Sequence, residues 1–118
     1  MTIKEVSEKF GISRETLRYY ERVGIIPRVT RTSGGIRNYT EEDLKWVELA
    51  VEMKSLELPV KTMIEYVALS IETDNALQAR SIILQNHRLA LLEKRKQINR
   101  ILRLLEQKLT DEVEEMIQ

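Results

Sequence analysis

Cysteine is absent from the 118 residues, and histidine, tryptophan and phenylalanine occur once each. Without thiols there is no disulfide framework, no thiolate metal site and no thiol redox sensor, which fits a reducing compartment. His87, the single histidine, lies in a helical stretch and reads as a packed or hydrogen-bonded side chain rather than a metal ligand. No apolar run approaches the ~18 residues that span a bilayer, and Met1–Glu5 does not resemble a signal peptide, so a soluble cytoplasmic protein without a membrane partner is expected. There is no cysteine, one isolated histidine and no Gly-rich phosphate loop, and the carboxylates lie on helix faces that read as solvated surface, so neither an enzyme nor a cofactor is expected. Only four glycines and two prolines interrupt the chain, as in a mainly α fold.

The formal net charge is zero, but it is an average over unlike regions. Residues 1–40 hold eight basic against four acidic side chains, a net +4, and all but two of the basic ones are arginine. Residues 41–73 carry −5, and the remainder is nearly balanced. Positive charge gathered at one end, in the side chain that forks best onto phosphate, is the footprint of a nucleic-acid binder.

Ser13–Gly24 carries the clearest signal. It opens on a helix-capping serine, closes on a helix-stopping glycine, and holds Arg14, Arg18, Arg22, Tyr19 and Tyr20 between. Arginine and tyrosine together grip phosphates and press on sugars and bases, so this reads as a recognition helix. Before it, Thr2-Ile-Lys-Glu5 is a capping box, Ile3, Val6 and Phe10 form one face of a two-turn helix, and Gly11 ends it. Two short helices joined by a Gly-containing turn make a helix-turn-helix, or equally an ordinary helical hairpin.

Arg28–Thr32 and Ile36–Tyr39 flank Ser33-Gly34-Gly35, the pattern of a β-hairpin. Carrying Arg28, Arg31 and Arg37, it is expected to be a wing along the DNA backbone; the alternative is a solvated loop. Thr40, followed by three acids, starts a third helix to about Leu56, with Trp46 as a packed anchor. Pro59 marks a break before a fourth helix through Val60, Met63, Ile64, Val67 and Ile71.

From about Asn75 to Leu109 there is neither Gly nor Pro, and one long helix is expected. Leu77, Leu84, Leu91, Ile98 and Leu105 recur every seventh residue, with Ile101 joining the seam near the end, which is a coiled-coil pattern predicting a homodimer. The acidic tail Asp111–Gln118 either extends that helix or folds back as a short one. The expected division is therefore 1–72 for the DNA-binding domain and 73–118 for the dimerisation helix and tail.

Glu5-Val6, Gly11-Ile12-Ser13, Thr16-Leu17-Arg18-Tyr19-Tyr20-Glu21, Gly24-Ile25-Ile26, Arg31 to Gly35, Arg37-Asn38-Tyr39 and Asp43-Leu44 together resemble the MerR-type transcriptional regulators of bacteria over about residues 2–70. The resemblance implies a winged helix-turn-helix domain and a long helix that pairs antiparallel with its twin. It implies double-stranded promoter DNA as partner, with RNA polymerase engaged indirectly when the dimer bends and untwists an over-long promoter spacer. Arg18 and Tyr19 match the family's helix contacts, and Arg37 and Tyr39 its wing contacts. Ser13, Arg14 and Thr16 stand at the start of the recognition helix, where hydroxyls and amides meet phosphate or base edges. Arg31 is added from the wing itself, while Leu17 and Tyr20 are expected to anchor the helix in the core.

Two departures from the family pattern matter. Glu57 and Pro59 stand where the family often has Gly and Ser, which removes a side-chain cap from the fourth helix. The lack of cysteine excludes metal or iron–sulfur sensing through thiolates, and no large C-terminal drug-binding domain is expected. A small effector would fit where the long helix meets the fourth, although no residue identifies one. The competing readings are an effector-less architectural or excisionase-like DNA-binding protein and a coiled-coil protein-interaction module.

Overall fold

The Thr2–Glu5 box closes as expected in the computed structural model, which describes residues 1–72 and 76–118. Thr2 Oγ1 accepts from the Glu5 amide at 3.2 Å and the Glu5 carboxylate accepts from the Thr2 amide at 3.0 Å, opening α1 (Ile3–Phe10). Gly11, at φ 66°, ends it in the left-handed region that glycine tolerates. Ser13 caps α2 (Arg14–Val23), and Gly24, at φ 92°, terminates it with the Gly24 and Ile25 amides both donating to the Tyr20 carbonyl. A second capping box, Thr40 with Asp43, opens α3 (Glu41–Ser55).

The α3 helix ends in a Schellman arrangement. The Leu58 amide donates to Met53 O at 3.2 Å and the Glu57 amide to Lys54 O at 3.0 Å, with Glu57 itself at φ 56°. A glutamate thus occupies a backbone position that favours glycine. Pro59 then leads α4 (Val60–Ile71), which starts with no side-chain cap, as the missing serine implied.

These four helices bury one apolar cluster. Val6 from α1, Leu17 and Tyr20 from α2, Val47, Ala50 and Met53 from α3, and Met63 and Val67 from α4 meet Ile25, Ile26 and Val29 of the segment after α2. The inner faces follow the helical spacing read from the sequence except at the two ends of α4, where Val60 and Ile71 are exposed, and Trp46 packs partly buried at the edge.

The hairpin differs from expectation. Among the described residues there is no strand, only one antiparallel bridge between Arg31 and Arg37. The ladder stops there because neighbouring amides are taken by other partners: Val29 N–H donates to Glu21 at 3.2 Å, Thr30 N–H to Asp43 at 3.2 Å, and Tyr39 N–H to Met1 O at 2.8 Å.

Helix α5 (Ala76–Ile117) has 42 residues, about 63 Å at 1.5 Å per residue, so the acidic tail extends the helix and does not fold back. Pairs four residues apart support that tail, Gln107 with Asp111 at 3.0 Å and Lys108 with Glu112 at 2.9 Å. The expected domain boundary at 72/73 and the expected helix start at Asn75 fall outside the described residues. The chain divides into two compact units, Met1–Ile83 and Leu84–Gln118. In the first, Ala76 is buried and Arg80 lies 5.9 Å over the Tyr66 ring, with a 3.4 Å hydrogen bond to Ser70. In the second, the side chains of Leu84, Leu91, Ile98, Ile101 and Leu105 are all exposed, as is that of Leu77 in the first.

Candidate nucleic-acid interface

The two faces of α2 are chemically opposite. Leu17 and Tyr20 are sunk in the core and fix the helix, while Arg14, Arg18 and Arg22, four residues apart, are exposed along one stripe. Tyr19 is half-buried beside that stripe, with the Arg22 guanidinium 5.4 Å above its ring. A cation over an aromatic face stiffens both side chains. Glu15, Thr16, Tyr19 and Arg22 together line a shallow depression of about 290 Å³.

Ser13 and Thr16 stand at the helix start but are engaged with each other. Ser13 Oγ accepts from the Thr16 amide at 3.0 Å and donates to Thr16 Oγ1 at 2.8 Å. Their hydroxyls are thereby held at the positive end of the α2 dipole, where anions are favoured.

On the wing, the Thr32 amide donates to Ile36 O at 2.8 Å, the Gly35 amide to Thr32 O at 2.9 Å, and the Asn38 amide to Thr30 O at 2.7 Å. Arg31 and Arg37 both turn toward Glu21 of α2. Arg31 Nη2 lies 3.1 Å from Glu21 Oε2 and Arg37 Nε 2.8 Å from Glu21 Oε1. The Glu21 side chain is only 8% exposed, whereas each arginine side chain keeps 26%. The structure therefore unites the two wing arginines with α2 through a residue to which sequence reasoning assigned no role. No local pattern announces Glu21, because its partners lie ten and sixteen residues away.

Tyr39 is not on the wing surface, contrary to its expected place as a wing contact. It closes the wing stem with its ring in the core, 2% exposed, and its hydroxyl is buried with no hydrogen-bond partner among the described residues. Burial pushes its phenol pKa up from the ordinary tyrosine value.

Asp43 braces the stem from the other side, accepting from the Thr30 amide, the Thr40 amide and the Thr40 hydroxyl. Burial raises its pKa, but the bonds from Thr40 and Thr30 outweigh burial and hold the carboxyl below its ordinary value. A cleft of about 970 Å³ runs from the wing stem at Thr30 and Thr40 along α3 and α4 to the start of α5, its walls including Trp46, Tyr66, Ser70 and Arg80. No group of three or more His, Asp or Glu among the described residues is placed to hold a metal, and none of the described helices is long and apolar enough to cross a membrane.

Residues 1–69 match the family of MerR HTH regulatory proteins. Among characterised relatives, the HTH-type transcriptional regulator AdhR of Bacillus subtilis is 46% identical over 93 residues, which is 79% of this chain and 66%, just under two thirds, of AdhR. A Listeria monocytogenes structure described as a MerR-family transcriptional regulator superposes with a TM-score of 0.75 at 37% identity, covering 92% of this chain and 83% of that one. HiNmlR, a MerR-family regulator lacking the sensor domain and bound to promoter DNA in its crystal structure, superposes with a TM-score of 0.69 at 31% identity, covering 92% of this chain and 86% of its own.

Proposed function

The chain belongs to the MerR family of helix-turn-helix regulatory proteins, and from that premise we propose that it is a DNA-binding transcriptional regulator acting as a homodimer on a promoter spacer. The observation that carries this reading is the stripe of Arg14, Arg18 and Arg22 beside Tyr19, on a helix whose other face is locked into the core. A rigid, exposed, arginine-rich helix face can sit against a groove without first having to be ordered.

In this reading residues 1–72 bind DNA. Ser13, Arg14, Thr16, Arg18 and Tyr19 contact it from the helix, and Arg31 and Arg37 meet phosphates from the wing. Tyr39 acts from below by holding the wing stem. Residues 73–118 pair with a second copy through Leu77, Leu84, Leu91, Ile98, Ile101 and Leu105, whose exposed apolar side chains form a stripe that an isolated chain leaves in water. Antiparallel pairing would set the distance between two recognition helices and hence the half-site spacing. Bending and untwisting the spacer costs on the order of a few kcal/mol, offset by wing and helix contacts, and brings the promoter elements into register for RNA polymerase.

The test is footprinting on the protein's own upstream promoter, combined with titrations of wild type and Arg18→Ala over a range of salt. Protection between the promoter elements is expected. Arg18→Ala should weaken binding and reduce the slope of log K against log salt by about one. Equal affinity and slope for the two proteins would remove Arg18 from the interface, and protection only outside promoters would favour the architectural role.

A further inference from the structure

The bridge between Arg31 and Arg37 is of the non-hydrogen-bonded kind, because its ladder bonds lie on either side, Thr32 N–H to Ile36 O and Asn38 N–H to Thr30 O. Side chains of such a pair leave the same face from Cα atoms about 4.5 Å apart, where two like charges repel. Left alone, the two guanidiniums would splay. Glu21 lies between them: one carboxylate oxygen accepts from Arg37 Nε, the other from Arg31 Nη2 and from the Val29 amide. A guanidinium has five N–H donors, and each arginine gives Glu21 only one; Arg31 Nη1 is buried with no partner among the described residues, so the donors left facing outward are chiefly those of Arg37.

We propose that Glu21 is a positioning residue for phosphate recognition. It gathers Arg31 and Arg37 into one pre-formed site of net charge +1 whose outer N–H groups receive a DNA phosphate. This rests on the reading of the α2 and wing face as the DNA interface. Glu21 makes no contact with DNA; it acts through the arginines, fixing where their donors point before the phosphate arrives. The same carboxylate ties Val29 at the wing stem to α2, so helix and wing present their contacts as one body.

The idea has a distinguishing sign. A carboxylate beside a phosphate repels it, so Glu21→Gln would strengthen DNA binding if charge alone mattered. Positioning demands the reverse. Loss of the two charge-assisted bonds releases both arginines, and we expect about tenfold weaker binding, with a log K against log salt slope smaller by about one.

The experiment titrates promoter DNA with wild type, Glu21→Gln, the Arg31→Ala/Arg37→Ala pair, and the triple variant, all below their thermal transitions as followed by circular dichroism. With both arginines already removed, Glu21→Gln should change affinity by less than about twofold, since no guanidinium remains to position and the substituted side-chain amide oxygen can still accept from the Val29 amide. A general folding defect would instead lower affinity in that background as well, and would overturn the proposal. Equal or tighter binding by Glu21→Gln would also overturn it. Absence of salt-dependent DNA binding by the wild type would refute the interface reading itself, a result separable from the other two.

Discussion

Leu91 is the middle of the five apolar residues spaced by seven from Leu77 to Leu105, and in the single chain it is 41% exposed. Aspartate at this position probes the pairing of two copies. In an antiparallel pair centred on the stripe, each copy of position 91 approaches its own mate across the two-fold axis. Burying the exposed two fifths of a leucine contributes roughly 1 kcal/mol, and Leu91→Asp loses it in both protomers. Two carboxylates about 6 Å apart, at an effective dielectric near 20, repel by roughly 3 kcal/mol. The sum, about 5 kcal/mol, weakens the dimer by more than ~1,000-fold. Sedimentation equilibrium should show a wild-type dimer and a variant monomer at micromolar protein, with the melting of the helical domain around Val6 and Leu17 little changed. A wild-type monomer at that concentration, or a variant that dimerises as tightly as wild type, refutes the reasoning.

Tyr39→Phe removes a buried hydroxyl that has no partner among the described residues and should raise stability by about 1 kcal/mol while leaving DNA affinity unchanged; lost affinity in a gel-shift titration would return Tyr39 to the interface. Glu57→Gly places glycine at φ 56° and should stabilise the domain by about 0.5–1 kcal/mol in urea denaturation, because the left-handed strain relieved exceeds the backbone entropy added. The depressed pKa of Asp43 makes its contribution fully present above its ordinary carboxyl value of 3.8 and lost as pH falls through the lower folded value. Asp43→Asn should therefore lower the melting temperature at neutral pH and narrow its gap to wild type in acid; a gap that widens in acid would contradict that sign.

Local chemistry made most of the fold legible. Thr2 with Glu5, Ser13, Gly24, Thr40 and Pro59 all mark boundaries through bonds made within a few residues, and each boundary forms where those residues stand. The long helix was readable from the lack of Gly and Pro, although its extension to Ile117 was left open because the acidic tail allows a fresh start as readily as a continuation. The wing was harder. β-Branched residues around Gly34-Gly35 announce a hairpin, but they cannot reveal that Glu21 and Asp43 take the amides of its first arm. Tyr39 could be matched to a family pattern but not to a depth, since its burial depends on how the whole apolar cluster closes around it. Arg31 and Arg37 were identified as wing residues, and only their meeting at Glu21 depended on the folded geometry.

The wing also bears on local opening. Its tip, from Thr32 to Ile36, is exposed and closed by few backbone bonds, and its stem is held to α2 and α3 partly by carboxylates. The tip can open while the Glu21 cluster and the core around Val6, Leu17 and Val47 stay closed, so Thr32 to Ile36 form a small unit of low opening energy. In amide hydrogen exchange the Thr32 and Asn38 protons should therefore exchange well ahead of those in the middle of α3. In the proposed complex their protection should rise, because a phosphate backbone seated on the pre-formed arginine pair would cover the tip.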